Sequence, residues 1–363
     1  MKLPQLIIGD LKASVPIVQG GMGIGISLHK LASAVANQGG IGVISAAQVG
    51  FLEKDFLSNN LEANLRALKK EIRLARKNSP NGILGVNLMM ATNYYEEYVR
   101  AVIEEKIDII ISGAGLPLDL PKLVQGSSVK IAPIVSSAKA AKVICKSWDR
   151  KYNTCPDLII VEGPMAGGHL GFHKEDISSS ISLLDEIAVD VKDSIQSYGK
   201  KYNKYIPVVA AGGVFDGNDI ARLLNLGIDG VQIGTRFVAT EECDADYALK
   251  EAYVNAKKED IQIVSSPVGM PGRAVRNKFI DNIEKNHQNV KCLYNCLKPC
   301  NPSSAPYCIS QALINATLGN IDEGLIFAGS NVYKINEIVT VKELITELVN
   351  DAEIKFKEKT NQI

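Results

Sequence analysis

The residues best equipped for chemistry stand together in the run Val161-Glu-Gly-Pro-Met-Ala-Gly-Gly-His-Leu-Gly-Phe172. A short apolar stretch, Asp157-Leu-Ile-Ile-Val161, ends in it abruptly. A buried parallel strand reads this way, and its carboxyl end is where α/β proteins place reacting groups. The adjacent glycines Gly167 and Gly168 let the backbone come close to a bound molecule. His169, one of four histidines in the chain, follows directly. An imidazole with an ordinary pKa of about 6.5 exchanges protons near neutral pH, so His169 is the candidate catalytic group. The plainer alternative is a turn histidine with a satisfied hydrogen bond.

Positioning such a group takes a large scaffold, and the chain has one. Its 363 residues, 46% hydrophobic and 22% charged, suffice for one big domain and a smaller one. Forty basic residues offset forty acidic ones, and no basic stripe interleaves with aromatics. Nothing therefore draws nucleic acid or an anionic membrane, and a small molecule is the expected partner. No run reaches the roughly 20 apolar residues that span a bilayer, and the amino terminus lacks the pattern of a leader, so a cytoplasmic location is expected. Seven cysteines, four of them crowded between Cys292 and Cys308, suit a reducing compartment better than a secreted disulfide framework.

Eight short apolar or β-branched runs alternate with segments of helical periodicity: residues 15–19, 40–45, 83–88, 107–112, 131–136, 158–161, 206–210 and 230–233. This alternation predicts a (β/α)8 TIM barrel. A doubly wound open sheet is the competing architecture, but Gly21-Met-Gly-Ile-Gly-Ile is only a near miss to its Gly-x-Gly-x-x-Gly signature. Leu61, Leu65, Leu68, Ile72 and Ala75 form one helical face, and residues 217–226 a shorter helix ended by Gly227. After residue 238 the alternation stops. Residues 239–320 read as helices and loops without a clear strand, a mainly helical domain inserted over the barrel mouth. Residues 321–363 read as a helical segment that packs back on the barrel, with a solvated, frayed tail from Lys355.

Nearly every strand run ends in glycine or a small polar residue, so these ends share one rim. The ends of runs seven and eight carry Ala211, Gly212, Gly213 and Gln232, Gly234, Thr235, which suit a phosphate held by backbone N–H groups. Gly20, Gly21, Met22 and Asn87 leave room for a flat head group. Flavin mononucleotide combines a phosphate tail with a planar ring.

The motifs Pro16-Ile-Val-Gln-Gly-Gly-Met22, Gly85-Val-Asn87, Ala166-Gly-Gly-His-Leu-Gly171, Val209-Ala-Ala-Gly-Gly-Val214 and Val231-Gln-Ile-Gly-Thr-Arg-Phe237 occur in one order over most of residues 15–240. In that order they resemble the nitronate monooxygenase family, formerly 2-nitropropane dioxygenases. That family shares its fold and motifs with the flavin-dependent enoyl-acyl-carrier-protein reductase of type II. The resemblance implies FMN bound non-covalently, its phosphate on Gly212, Gly213, Gly234 and Thr235, and His169 beside it as catalytic base or acid. It further implies flavin contacts from Gly20, Gly21, Met22, Asn87, Gln232, Glu162, Gly167 and Gly168. Where relatives often have Glu-Ala-Gly-Gly-His, this chain has Met165, so Glu162 is the carboxylate left to replace that glutamate.

The implied reaction is the oxidation of alkyl nitronates, or nitroalkanes, with O2 to carbonyl compounds and nitrite. Its rival on the same fold is NADH-dependent enoyl-acyl-carrier-protein reduction, kept in play by Met270-Pro-Gly-Arg-Ala-Val-Arg276, although Arg273 and Arg276 read more simply as surface pairs. A reading of another class is electron transfer through a zinc or iron–sulfur site at Cys292, Cys296, Cys300 and Cys308. Their spacing matches no familiar motif, and loop or buried thiols are favoured. His29 and His287 read as solvated, and His173 as a surface residue or a helper of His169. Trp148, Tyr95 and Tyr98 read as helix packing, and Tyr94 also as a wall of the site.

Overall fold

The computed structural model describes residues 2–177, 182–285 and 290–360. All eight expected strands form, as Ile17–Gln19, Ile41–Ser45, Ile83–Met89, Ile109–Gly113, Lys130–Val135, Ile159–Glu162, Val208–Ala211 and Gly230–Ile233. Each pairs in parallel with its sequence neighbours, and the eighth pairs with the first, which closes the barrel. The fold is a (β/α)8 barrel.

Alternation along each strand decides which residues reach the interior. Val18, Ile41, Val43, Ile109, Ile111, Ile160 and Val209 form an inner cluster with no helix residue in it. Ile17, Ile44, Leu84, Val86, Ile159 and Val161 join the surrounding helices instead. Continuing the inner series by two residues brings Asn87, Glu162 and Gln232 to the carboxyl-terminal rim, where chemistry is usual in this fold. An amino-terminal hairpin, Leu6–Ile8 with Leu11–Ala13, adds Leu6, Ile8 and Ala13 to the same inner cluster. It closes the floor.

The helix Asn60–Asn78 buries Leu68, Ile72 and Ala75 as expected and packs the half-buried Leu65 against the same core, while Ala63, Asn64 and Ala67 are buried beside them and Leu61 is only half-buried. The helix Gly217–Asn225 is capped by Asp216, whose carboxylate accepts the Asp219 N–H at 3.1 Å. The last helix, Val341–Thr360, buries Val341, Leu344, Ile345 and Leu348 and lies against the helix Gly217–Asn225, where a side chain at position 217 would meet Asp351 and Ala352. It runs on past Lys355, contrary to the frayed tail expected from that residue. Residues 361–363 lie outside the described residues.

The stretch after residue 238 departs from expectation. It contains helices Tyr247–Val254, Lys278–Lys285 and Ile309–Thr317, but also strands Ile261–Ser265 and Pro271–Val275. These two pair antiparallel, and the second also pairs with Gly168–His169 and with Ile326–Phe327. The sheet escapes local pattern reading because Pro271-Gly272 has poor strand propensity and two of its four strands have two residues each. Long-range pairing creates it.

Candidate active site

One cavity of about 300 Å³ opens at the carboxyl-terminal rim, and every residue expected to contact cofactor or substrate lines it. Gly20, Gly21 and Met22 come from the end of the first strand and Asn87 from the third. Glu162, Gly167, Gly168 and His169 come from the sixth, Ala211, Gly212 and Gly213 from the seventh, and Gln232, Gly234 and Thr235 from the eighth.

His169 is fixed by the small sheet rather than by a turn. It lies opposite Gly272 in the sheet, and the next residue, Leu170, donates its N–H to the Pro271 carbonyl at 2.9 Å. Phe327 packs against the imidazole at a 69° interplanar angle, with 5.1 Å between ring centroids. Nε2 lies 2.6 Å from the Ser266 hydroxyl oxygen, and no protein group among the described residues bonds Nδ1. With Nε2–H donating to Ser266, the Nδ1 lone pair is free to take a proton. Burial pushes the imidazole down to about 4, so at neutral pH it is an uncharged base rather than a cation.

Ser266→Ala removes the partner that holds the imidazole at Nε2. Proton abstraction should slow roughly tenfold, the value of one hydrogen bond, with flavin affinity unchanged. Steady-state kinetics beside a flavin titration check it, and an unaltered rate would show that Ser266 does not set the imidazole.

Glu162 is enclosed by protein except where it faces the cavity, and this burial raises its carboxyl to about 7. Among the described residues the side chains of Glu162, Asn87 and Gln232 have no bonding partner. Three polar groups on the third, sixth and eighth strands thus face the cavity without a protein partner, free to bond a ligand rich in donors and acceptors. Glycines keep space open beside them. A methyl group at Gly21 would sit 2.3 Å from the Asn87 Cβ. Gly212 and Gly213 both have φ of +95°, a conformation that glycine takes without strain. The Thr235 hydroxyl oxygen accepts the Gly329 N–H at 3.0 Å, which leaves its own proton to donate. The set fits a flavin with a phosphate tail.

Several contributors were not legible in the sequence. Phe327, Ala328 and Gly329 line the cavity, and they end a short apolar run, Leu325-Ile326-Phe327-Ala328, that is closed by glycine like the barrel strands. Arg273 is buried, not a surface pair: its guanidinium donates to the carbonyls of Pro164 at 2.7 Å and Ala166 at 2.6 Å, so it holds the loop that leads to His169. Burial brings it down to about 10. Arg276 does pair at the surface, with Asp281 at 2.7 Å. His29 is likewise not simply solvated, since Nδ1 bonds Glu71 at 2.7 Å. His173 is exposed, and His287 lies outside the described residues. Trp148 is buried and donates to the Pro117 carbonyl, Tyr95 bonds the Ser112 hydroxyl, and Tyr94 and Tyr98 line the cavity.

All seven cysteines are free thiols, and of the clustered four only Cys296 lines the cavity. Among the described residues no three His, Cys, Asp or Glu side chains are placed to hold a metal ion, so the structure does not assemble Cys292, Cys296, Cys300 and Cys308 into such a site. Nor is any described helix long and apolar enough to cross a membrane.

A sequence model of the nitronate monooxygenase family matches residues 5–351. The chain belongs to that family. Members are flavin-dependent oxidoreductases, and so is this enzyme. It is 26% identical to a probable nitronate monooxygenase of Staphylococcus saprophyticus, over 78% of this chain and 82% of the relative. It is also 26% identical, over 93% and 92%, to the (3aS,4S,5R,7aS)-5-hydroxy-7a-methyl-1-oxo-octahydro-1H-indene-4-carboxyl-CoA dehydrogenase of Rhodococcus jostii. Among solved structures, FabK from Thermotoga maritima superposes with a TM-score of 0.74 at 26% identity, covering 96% of both chains. A nitroalkane oxidase of Streptomyces ansochromogenes shares the fold at 20% identity and a TM-score of 0.73, over 95% of this chain and 97% of that one.

Proposed function

We propose that this enzyme oxidises nitroalkanes and their nitronates to carbonyl compounds and nitrite, with FMN as cofactor and O2 as oxidant. The observation that carries the reading is His169, an uncharged imidazole set in the cavity wall with Nε2 engaged by Ser266 and Nδ1 open. That group removes a proton from the carbon α to a nitro group. FMN, when bound, supplies the electron acceptor for the resulting nitronate before O2 completes its conversion to carbonyl and nitrite. Asn87, Glu162 and Gln232 hold the ring edge, and Gly212, Gly213, Gly234 and Thr235 the phosphate. The free thiols support a reducing, cytoplasmic setting.

Against the reductase reading stands the charge of the site. Among the described residues no lysine or arginine lines the cavity, and Arg273 and Arg276 are engaged elsewhere. Aerobic assays with 1-nitropropane, with its nitronate, and with NADH plus an enoyl thioester test the proposal. Nitrite release from the first two supports it. NADH consumption dependent on the thioester, without nitrite release, would overturn it.

Glu162 gives this activity a pH signature. Below about 7 its carboxyl is neutral, and above it the carboxylate repels the negative charge that grows on the substrate. kcat/KM for nitroalkanes should therefore fall as pH rises through about 7, and Glu162→Gln should remove that limb. A folded pKa above the unfolded value also means stability is lost as pH rises from about 4.5 to about 7. The Tm of Glu162→Gln should exceed that of the parent at pH 8 and match it near pH 4.5; identical profiles for both proteins would contradict the assignment.

A further inference from the structure

We infer that Gln48 is a specificity-determining residue of this site: its side-chain N–H groups bind a neutral carbonyl oxygen that the substrate carries away from its reacting carbon. The inference rests on the nitroalkane-oxidising reading and deepens it by a residue and a second functional group. The groups assigned to cofactor and proton transfer come from the first, third, sixth, seventh and eighth strands. Gln48 lies just beyond the second strand, Ile41–Ser45, and lines the cavity together with Ser45 and Asn60. The second and sixth strands are opposite in the closed order of eight, on the order of 15 Å apart. Gln48 therefore belongs to the wall across from His169.

The carboxamide is held in one orientation. Its Oε1 accepts from the side-chain amides of Asn60 at 2.9 Å and Asn64 at 3.3 Å. Asn64, fully buried, is itself fixed: its amide also donates to the Asn60 carbonyl, and its Oδ1 accepts the Gly50 N–H, each at 2.8 Å. The Gln48 backbone is left-handed, φ 47°, so the loop imposes the position of the side chain. With Oε1 engaged twice, the N–H groups of Nε2 have no protein partner among the described residues, in a residue only 7% exposed. The Ser45 hydroxyl, in a residue 2% exposed, has none either. Neither is sealed in, since the enclosed side-chain atoms without a partner among the described residues are Ser79 Oγ and Gln262 Nε2. Donors that open onto a cavity select an acceptor there. Glu162 lines the same cavity and no described lysine or arginine does, so a carboxylate brought to Gln48 would be buried without a counter-charge. A ketone, ester or amide carbonyl takes the same hydrogen bonds without that cost.

Calorimetry on the FMN-loaded enzyme with the unreactive probes octan-2-one, octanoate and octan-2-amine tests this. Octan-2-one should bind more tightly than octanoate, and its Kd should rise roughly tenfold in Gln48→Leu. Gln48→Glu keeps the oxygen that Asn60 and Asn64 hold but offers the cavity an acceptor in place of donors. Its preference should reverse, with octan-2-amine, a cation at neutral pH, binding more tightly than the ketone; a purely structural role for Gln48 predicts no reversal. Equal octan-2-one affinity in parent and Gln48→Leu, tighter binding of octanoate, or weakened FMN binding with the ketone Kd unchanged would overturn the inference. Nitrite release from 6-nitrohexan-2-one and 1-nitrohexane in the same preparations separates the two proposals. Ketone selection by Gln48 without nitrite from either compound keeps the role of Gln48 and removes the reaction. Nitrite from both at equal kcat/KM, with the ketone Kd indifferent to Gln48, keeps the reaction and removes that role.

Discussion

His169→Asn is expected to lower turnover of neutral nitroalkanes by roughly 10²- to 10⁴-fold, the usual contribution of a general base, and to lower turnover of preformed nitronates far less. A nitronate has already lost the α-proton, so it asks only for a polar neighbour, which the asparagine amide provides. The strand pairing of position 169 with Gly272 is made by the backbone and does not depend on the imidazole, so the fold should persist. Initial rates of nitrite release from paired nitroalkane and nitronate solutions measure the contrast. Equal losses on both substrates would remove the base assignment and leave His169 a role in binding.

Gly212→Ala is expected to be nearly as damaging through the cofactor. At φ +95° an L side chain is strained, and the added methyl would lie 2.7 Å from the Gly163 carbonyl oxygen and 3.0 Å from the Gly163 nitrogen. Both neighbours are backbone and cannot rotate away, so the loop must move, and with it the N–H groups proposed to hold the phosphate. The Kd for FMN should rise about 100-fold, as expected when two or more of these hydrogen bonds are lost. Gly227→Ala is the control: its φ is +81°, but nothing lies within 4 Å of the added methyl. It should cost about 1–2 kcal/mol of stability, the ordinary penalty of a left-handed residue, with FMN affinity intact. Fluorescence titration of the apoprotein with FMN, beside thermal unfolding of both variants, distinguishes the cases. Equal FMN affinity in the two would refute a phosphate role for Gly212.

The barrel and most of the site could be read from sequence because each of its signals is local. A buried parallel strand is a short apolar run, and a rim position that must admit a ligand ends it with Gly20, Asn87, Gly212 or Gly234. What escaped depends on pairing between distant residues. Ser266 reaches His169 only because the strands around them share a sheet across roughly a hundred residues. Arg273 has partners that are backbone carbonyls, which no residue type advertises, so a charged residue in a glycine-rich stretch looked exposed. The hairpin under the barrel and the two-residue strand Ile326–Phe327 are too short for periodicity to show. Conversely, the cysteine cluster is conspicuous in sequence, yet folding brings only Cys296 to the cavity.

The most direct test of the account is the visible spectrum of the FMN-loaded protein under anaerobic conditions, recorded before and after alkyl nitronate is added to one sample and NADH to another. The account predicts that the nitronate bleaches the flavin absorbance while NADH leaves it unchanged. Rapid bleaching by NADH with the nitronate inert would contradict it and assign the cavity to enoyl reduction.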